Sequence, residues 1–316
     1  MSPQNVISQL KRSKHYKGQI FSSNVQGRDQ IELIGSYRND VVNEMMALLG
    51  MDGLFLHQNN TIEAMEDSKN CVLFGEARSG KSRAAYLSIV NEIAQNGKTV
   101  LLLTSHTGVA DKLKELEDFL ETIKWDLQIR ALSAENLTML RTNLDQLPDI
   151  LITSPDLIIK YLSDNTYLQG PEFFLSCGVT VIEDLNEYRS GELVHIKYLL
   201  KMLHMFSLGE MQFIVTSAPV KSREKFAEDL LGGLRETVIV HPSHSSALME
   251  VVYWSPPIAM DINGVLRRRN LDEELNQLIP QLLVAGKSKI LIWLVSENYS
   301  LFALDEWQNS FDEFVP

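Results

Sequence analysis

Runs of consecutive apolar residues punctuate this chain: Cys71-Val72-Leu73-Phe74, Val100-Leu101-Leu102-Leu103, Ile150-Leu151-Ile152, Val179 to Ile182 and Phe213-Ile214-Val215. Each has strand length and almost no polar alternation, which is how a strand reads when helices cover both of its faces. Between the runs, apolar positions return every three or four residues, the period of a helix with one buried face. That period predicts helices over Arg83 to Val90, Val109 to Lys124, Ala134 to Gln146 and Leu193 to Phe206. Upstream, Val41, Val42, Met45, Met46, Leu48 and Leu49 predict a helix closed by Gly50, and a second helix covers Leu54 to Met65. A further strand fits Gln128 to Ala131. Strand and helix alternate, so the expected fold class is α/β. Its mostly parallel sheet is sandwiched by crossover helices, and ligands bind at the carboxyl ends of the strands.

Between the first strand, Asn70 to Phe74, and its helix stands Gly75-Glu76-Ala77-Arg78-Ser79-Gly80-Lys81-Ser82, a complete G-x-x-x-x-G-K-[ST] pattern. Glycines let the backbone curl with its N–H groups inward, and the helix N-terminus adds a positive dipole. Lys81 supplies a point charge for β- and γ-phosphates, and the Ser82 hydroxyl is a ligand for Mg²⁺. A phosphate loop also needs a carboxylate at a neighbouring strand end to hold the metal shell, and usually a second to polarise the attacking water. Glu183 and Asp184 stand there, directly after Val179 to Ile182. The candidate catalytic residues are therefore Lys81, Glu183 and Asp184, with Ser82 and Glu183 as candidate metal ligands.

Composition narrows the partners. The 316 residues are 45% hydrophobic, enough for one α/β core with extra elements or for two smaller domains. A formal net charge of −12 excludes coating of nucleic acid by bulk electrostatics, so any polynucleotide contact is local. Lys11, Arg12, Lys14, His15 and Lys17 form a small basic cluster, read as a solvated arm or as a phosphate-contacting one. The two cysteines, Cys71 and Cys177, each adjoin a core strand, which suits a reducing cytoplasm without a disulfide. No apolar run is long enough to cross a bilayer, so no membrane partner is expected.

Three segments result: an N-terminal arm and helix over 1–52, a nucleotide-binding domain over 53–247, and a linker with the start of a further domain over 248–316. In the last, Val251 to Pro257 reads as a strand stopped by prolines, and Leu266 to Asn270 carries the basic triplet Arg267-Arg268-Arg269. A helix from Leu271 to Ala285 is expected to kink or break at Pro280. A buried strand at Lys289 to Val295 and a last helix to about Asn309 complete the pattern.

In motif order the chain resembles the first RecA-like domain of a superfamily 2 helicase of the DEAD/DEAH-box-like group. Gln58 matches the adenine-reading glutamine of that group, and Gly75 to Ser82 match its motif I. Thr104-Ser105-His106-Thr107 sits at motif Ia, and Thr153-Ser154-Pro155-Asp156 matches T-x-P-D of motif Ib. Glu183-Asp184-Leu185-Asn186 occupies the D-E-x-H position, and Ser217-Ala218-Pro219 the S-A-T position. Glu187 to Gly191 and Tyr253 to Pro257 look most like the mitomycin-resistance repair-helicase branch. The resemblance implies ATP with Mg²⁺ as cofactor and sequence-independent binding of DNA or RNA by Thr104, Ser105, Thr153 and Asp156. An ordinary strand-to-helix cap accounts for Thr153 to Asp156 equally well. Ser217 and Ala218 are implied to couple nucleotide to strand.

Departures from the family pattern define a rival. The acids stand in reversed order, each side chain wrong by one methylene, and displacements of about 1 Å in a catalytic group cost on the order of a hundredfold in rate. Asn186 and Pro219 replace residues that link the motifs, and motifs V and VI find no place before Pro316. The leading expectation is an ATP-dependent helicase lobe whose second RecA-like lobe, with its arginine finger, comes from a partner chain or from further sequence. The rival is a catalytically degenerate, nucleotide-regulated scaffold or subunit of a larger complex.

Overall fold

The structure is a computed structural model describing residues 3–14, 16–26, 33–76, 79–133, 148–163, 172–242, 249–260, 264–268 and 271–284. Ala77 and Arg78 lie outside these residues, as do the helix expected at Ala134 to Gln146 and the strand and helix expected after Lys289. In chain order the helices are α1 (Pro3–Arg12), α2 (Asp40–Leu48), α3 (Leu56–Glu66), α4 (Lys81–Asn96), α5 (Val109–Ile123), α6 (Pro155–Ser163), α7 (Glu172–Ser176), α8 (Ser190–Phe206), α9 (Arg223–Leu231) and α10 (Leu271–Val284). The strands are β1 (Ile20–Gln26), β2 (Leu33–Ile34), β3 (Leu54–Phe55), β4 (Asn70–Phe74), β5 (Thr99–Leu103), β6 (Ile129–Ala131), β7 (Ile150–Thr153), β8 (Cys177–Ile182), β9 (Gln212–Ser217), β10 (Thr237–Val240), β11 (Met249–Trp254), β12 (Ile258–Met260) and β13 (Leu266–Arg268). They fall into two compact units, Arg28–Ser246, and Met1–Gly27 with Ala247–Pro316.

The larger unit is built on a parallel sheet of seven described strands in the order β10-β4-β9-β8-β5-β7-β6. Alternate side chains along each strand feed opposite faces. On β5, Val100 and Leu102 point to a core shared with α2, α4 and α5, while Leu101 and Leu103 point to one shared with α6, α8 and α9. On β9, Ile214 faces the first core, and Phe213 and Val215 face the second. Both faces are apolar, and this is why these strands read as unbroken hydrophobic runs. A mostly parallel sheet flanked by helices is the expected fold class.

The smaller unit starts from the basic N-terminal segment, where Lys11 and Arg12 end α1 and, like Lys14 and Lys17 after it, are exposed. Leu10 of α1 is buried and packs with Trp254, Leu278 and Leu282. β1 pairs antiparallel with β11, so the strand expected at Val251 has its partner near the start of the chain. Glu274 Oε1 accepts from Trp254 Nε1 at 3.0 Å and from Gln19 Nε2 at 3.1 Å. Of the kink or break expected at Pro280, the break is absent, because α10 is helical on both sides of it. Arg267 and Arg268 lie on β13 and are exposed.

Candidate functional site

The site forms where β4, β8 and β9 deliver their carboxyl ends to one edge, as adjacency in the sheet requires. β4 leads into the phosphate loop, and α4 begins at Lys81, so Lys81 and Ser82 occupy a helical first turn whose N–H groups have no intrahelical partners. Two glycines make the turn possible. Gly80 has φ +89°, the left-handed region, and a Cβ on it would lie 3.0 Å from Gln58 Nε2. A Cβ on Gly75 would lie 2.7 Å from Ser79 Oγ and 2.9 Å from Pro242 Cγ.

Lys81 is buried, and its ammonium donates to Gly75 O and Glu76 O at 2.8 Å each. Burial holds its pKa below the ordinary lysine value, with Asp184 and Glu183 opposing the shift. The loop also hangs on β9, because Gly75 N–H donates to Ser217 O at 2.9 Å. Ser79 Oγ is buried and unpartnered. A cavity of about 550 Å³ opens against the loop, lined by Met51, Phe55, Gln58, Gly80, Lys81, Ser82, Arg83, Glu115 and Asp184. Gln58 is buried at its wall, with its Oε1 accepting Phe55 N–H at 3.1 Å and its Nε2 turned toward Gly80.

The two acids behave differently. Asp184 has φ +48°, is only partly buried and faces the cavity, and its N–H donates to Thr216 Oγ1 at 3.0 Å. Glu183 is buried, and its Oε2 pairs with Lys112 Nζ at 3.0 Å and receives Tyr86 OH at 3.4 Å. Its Oε1 has no hydrogen-bond partner. Burial pushes the Glu183 pKa up, and Lys112 and Ser82 pull against it. Lys112 itself is raised, because Glu183 and Glu115 outweigh the opposite effect of burial. Asn186 Oδ1 accepts Ala218 N–H at 2.7 Å, joining the turns after β8 and β9.

The candidate strand-binding residues divide by exposure. Thr104 and Thr153 are buried, and Thr104 N–H donates to Thr153 O at 3.0 Å. Thr153 Oγ1 is spent on Leu132 O at 3.2 Å. Ser105 is partly exposed, and Asp156 is exposed in the first turn of α6. Among the described residues, no three His, Cys, Asp or Glu side chains gather as a metal site. Lys112, Glu115, Tyr86 and Thr216 escaped the sequence reading. They reach the site from α5, α4 and β9 through tertiary packing, and no local motif marks them.

A parallel sheet whose strand ends carry a phosphate loop, a paired acid and a cavity defines a nucleotide-binding lobe of the RecA-like type. The model of the DEAD/DEAH box helicase family matches residues 55–226, more than half of this chain, and the chain belongs to that family. YprA of Bacillus subtilis, an uncharacterized ATP-dependent helicase, is 23% identical over 240 residues, 74% of this chain and 31% of the relative. The ATP-dependent helicase HRQ1 of Saccharomyces cerevisiae is 21% identical over 252 residues, 74% of this chain and 22% of the relative. The chain thus spans less than a third of the length of these curated relatives. Among solved structures, the DUF1998 helicase MrfA bound to DNA and AMPPNP superposes with a TM-score of 0.73 at 21% identity, covering 90% of this chain and 39% of MrfA. Lhr of Mycobacterium smegmatis, bound to ssDNA and AMP-PNP, gives 0.67 at 17% identity, covering 87% of this chain and 36% of Lhr. The fold is theirs. No described helix is long and apolar enough to cross a membrane.

Proposed function

We propose that this chain is an ATP-binding, nucleic-acid-binding helicase lobe whose hydrolysis is weak without a second RecA-like lobe. One observation carries the reading: the buried Lys81 ammonium, held by the Gly75 and Glu76 carbonyls, lines a cavity of about 550 Å³ walled by Gln58, Ser82 and Asp184. Gly75 to Ser82 cradle the phosphates, Lys81 leaves the Gly75 and Glu76 carbonyls to meet the β- and γ-phosphates, and Gln58 lies against the base. Asp184, facing the cavity, is the carboxylate placed to orient a water.

Mg²⁺ fits this site only in company with a nucleotide. Ser82 Oγ, the unpartnered Glu183 Oε1 and Asp184 are the residues that would hold it. When bound, the ion supplies positive charge to the β- and γ-phosphate oxygens.

DNA or RNA is gripped without regard to sequence at the strand-end turns, where Ser105 and Asp156 are the accessible groups and the buried Thr104 and Thr153 hold the two turns together. That proteins of the same fold were solved bound to DNA and ssDNA supports a nucleic-acid partner. Ser217 and Ala218 link the strand-end turns to the loop, through Gly75 and Asn186. The second lobe and its arginine finger come from a partner chain or from further sequence, and residues 248–316 are the linker and opening of that lobe. A reducing cytoplasm suits the buried free thiols of Cys71 and Cys177. A second reading, a nucleotide-regulated scaffold, is favoured by the ion pair that ties up Glu183.

Steady-state ATP turnover with and without single-stranded DNA, beside a thermal-shift titration with Mg-ATP, tests the proposal. A thermal shift that disappears in Lys81→Ala is expected, with turnover that is low alone and rises with DNA. A shift without any turnover under either condition establishes the scaffold reading, and no shift at all refutes both.

A further inference from the structure

The helix α8 is apolar on two opposite faces. Ile196, Leu199, Leu200 and Leu203 are buried in the core beneath the sheet. On the other side Val194, Tyr198 and Met205 are 51%, 63% and 74% exposed. At about 3.6 residues per turn these three fall within an arc of about 40°, opposite the buried four, and make a line about 16 Å long. Apolar exposure continues past the helix. Leu208, in the turn that follows, is 83% exposed and has φ +55°, the left-handed region in which a leucine is strained and a glycine is not. Beside the same end, the Phe206 ring lies 6.4 Å from that of Phe174 on α7, and the next residue of α7, Leu175, is exposed as well. A helix at the surface of a soluble fold turns charged and polar residues outward, and a contiguous apolar line in that position marks a contact with another molecule.

Charge decides between occupants. Leu193 to Phe206 contain no acid, although the chain has 41 Asp and Glu against 29 Lys and Arg. Lys201 stands within the exposed line and Lys197 at its edge, with His195 and His204 further round the helix. A second copy of the chain would bring the same lysines together with no acid on this helix to meet them. Nucleic acid would use the lysines and Tyr198, but Val194, Met205 and Leu208 offer no ring on which a base could stack. A protein helix with an apolar stripe and acidic flanks satisfies both parts of the surface.

We infer that the outer face of α8 is a docking site for an acidic amphipathic helix of a partner protein, which seats its apolar stripe on Val194, Tyr198 and Met205 and its carboxylates on Lys197 and Lys201. None of these residues lines the nucleotide cavity, and the inference does not depend on what that cavity binds.

The probe is a fluorescein-labelled synthetic peptide of about 18 residues, with leucines at the i, i+4, i+7 and i+11 positions of a helix and glutamates on both flanks. It is titrated with the whole chain and read by fluorescence anisotropy. Saturable binding with a Kd of about 10 µM or tighter is expected at low salt. A twin peptide with lysine in place of every glutamate is expected to bind at least about tenfold more weakly. Tyr198→Glu, and separately the double variant Lys197→Glu with Lys201→Glu, should each lose at least about tenfold for the acidic peptide. Melting curves report whether each variant is folded, and Met205→Glu replaces any that is not. Absence of binding by the acidic peptide, equal binding of the twin, or unchanged binding by the folded variants overturns the inference. A concentration-dependent dimer in sedimentation velocity that Tyr198→Glu dissolves overturns it in favour of a second copy. A loss of about tenfold in single-stranded DNA affinity in the lysine variant overturns it in favour of nucleic acid.

Discussion

Asn186 Oδ1 accepts the Ala218 amide at 2.7 Å, so the turn that carries the paired acids is bonded directly to the turn after β9. On the same seam, Asp184 N–H donates to Thr216 Oγ1 at 3.0 Å and Gly75 N–H to Ser217 O at 2.9 Å. Asn186 stands where the family pattern has His or Asp, and the sequence alone suggests a weakened link. The side chain nevertheless supplies an acceptor of the right reach. Asn186→Ala removes one exposed hydrogen bond and is expected to cost about 0.5–1 kcal/mol in urea denaturation, while Asn186→Asp keeps the acceptor and stays near wild type. Equal losses in the two variants would show that the Ala218 bond contributes nothing.

Gly75 and Gly97 should respond differently to the same methyl group. A Cβ on Gly75 meets Ser79 Oγ at 2.7 Å and Pro242 Cγ at 2.9 Å, so the loop or its neighbour has to shift. Gly97 ends α4 at φ +62° with nothing within 4 Å, so only the backbone strain of a left-handed residue is incurred, about 1 kcal/mol. Gly97→Ala is therefore expected to lower stability modestly with nucleotide affinity unchanged. Gly75→Ala is expected to lose at least about tenfold in affinity, read by displacement of a fluorescent nucleotide.

The central strands were legible because parallel strands covered on both faces carry their burial in the sequence. β4, β5, β7, β8 and β9 are all buried along most of their length, and all appear as apolar runs. The edge strand β10, Thr237–Val240, is only half-buried over three of its four residues and lacks that signature. α9 escaped because Arg223, Glu224, Lys225, Glu228 and Asp229 dilute its short apolar face. At Pro280 the helix is kept and not broken: a proline forfeits one helix hydrogen bond, a loss that flanking helix turns can outweigh, and α10 continues through it. In the site, contiguous motifs were readable, but Lys112 was not. It is one lysine on a charged helix, and only the contact between β5 and β8 brings it to Glu183.

Thr153 offers a test of which atoms grip a strand. Its hydroxyl donates to Leu132 O at 3.2 Å and its carbonyl accepts Thr104 N–H at 3.0 Å, so the fully buried residue braces the end of β7 from within. Thr153→Val keeps the shape and deletes one buried hydrogen bond, with an expected loss of about 1 kcal/mol in stability. Affinity for single-stranded DNA, measured by fluorescence anisotropy at fixed salt, is expected to stay within about twofold of wild type. A large loss of affinity in a variant of normal stability would assign the hydroxyl itself to the strand.

Glu66 sets part of the acid limit of the fold. Its carboxylate accepts Tyr37 OH at 2.9 Å, the Arg38 guanidinium, and Asn39 and Asn91 Nδ2 at 3.3 Å each, tying the start of α2 to α3 and α4. Burial acts to raise its pKa, but Arg38, Tyr37 and Asn39 outweigh that and hold it below the ordinary 4.5. A depressed carboxylate contributes stability that is fully present above its unfolded pKa and is lost as pH falls through the folded one. Glu183, raised by burial, has the opposite sign: its contribution is present at low pH and declines as pH rises through its folded pKa. The two are separable by mutation. Glu66→Gln is expected to melt about 2–4 °C below wild type at neutral pH, for a loss of about 1 kcal/mol in a unit of this size. Its melting temperature should then fall less steeply than that of wild type as the pH is lowered through the carboxylate range. Parallel pH profiles for the two proteins would show that Glu66 is already protonation-neutral in folding and that the hydrogen-bonded cluster does not favour its charged form.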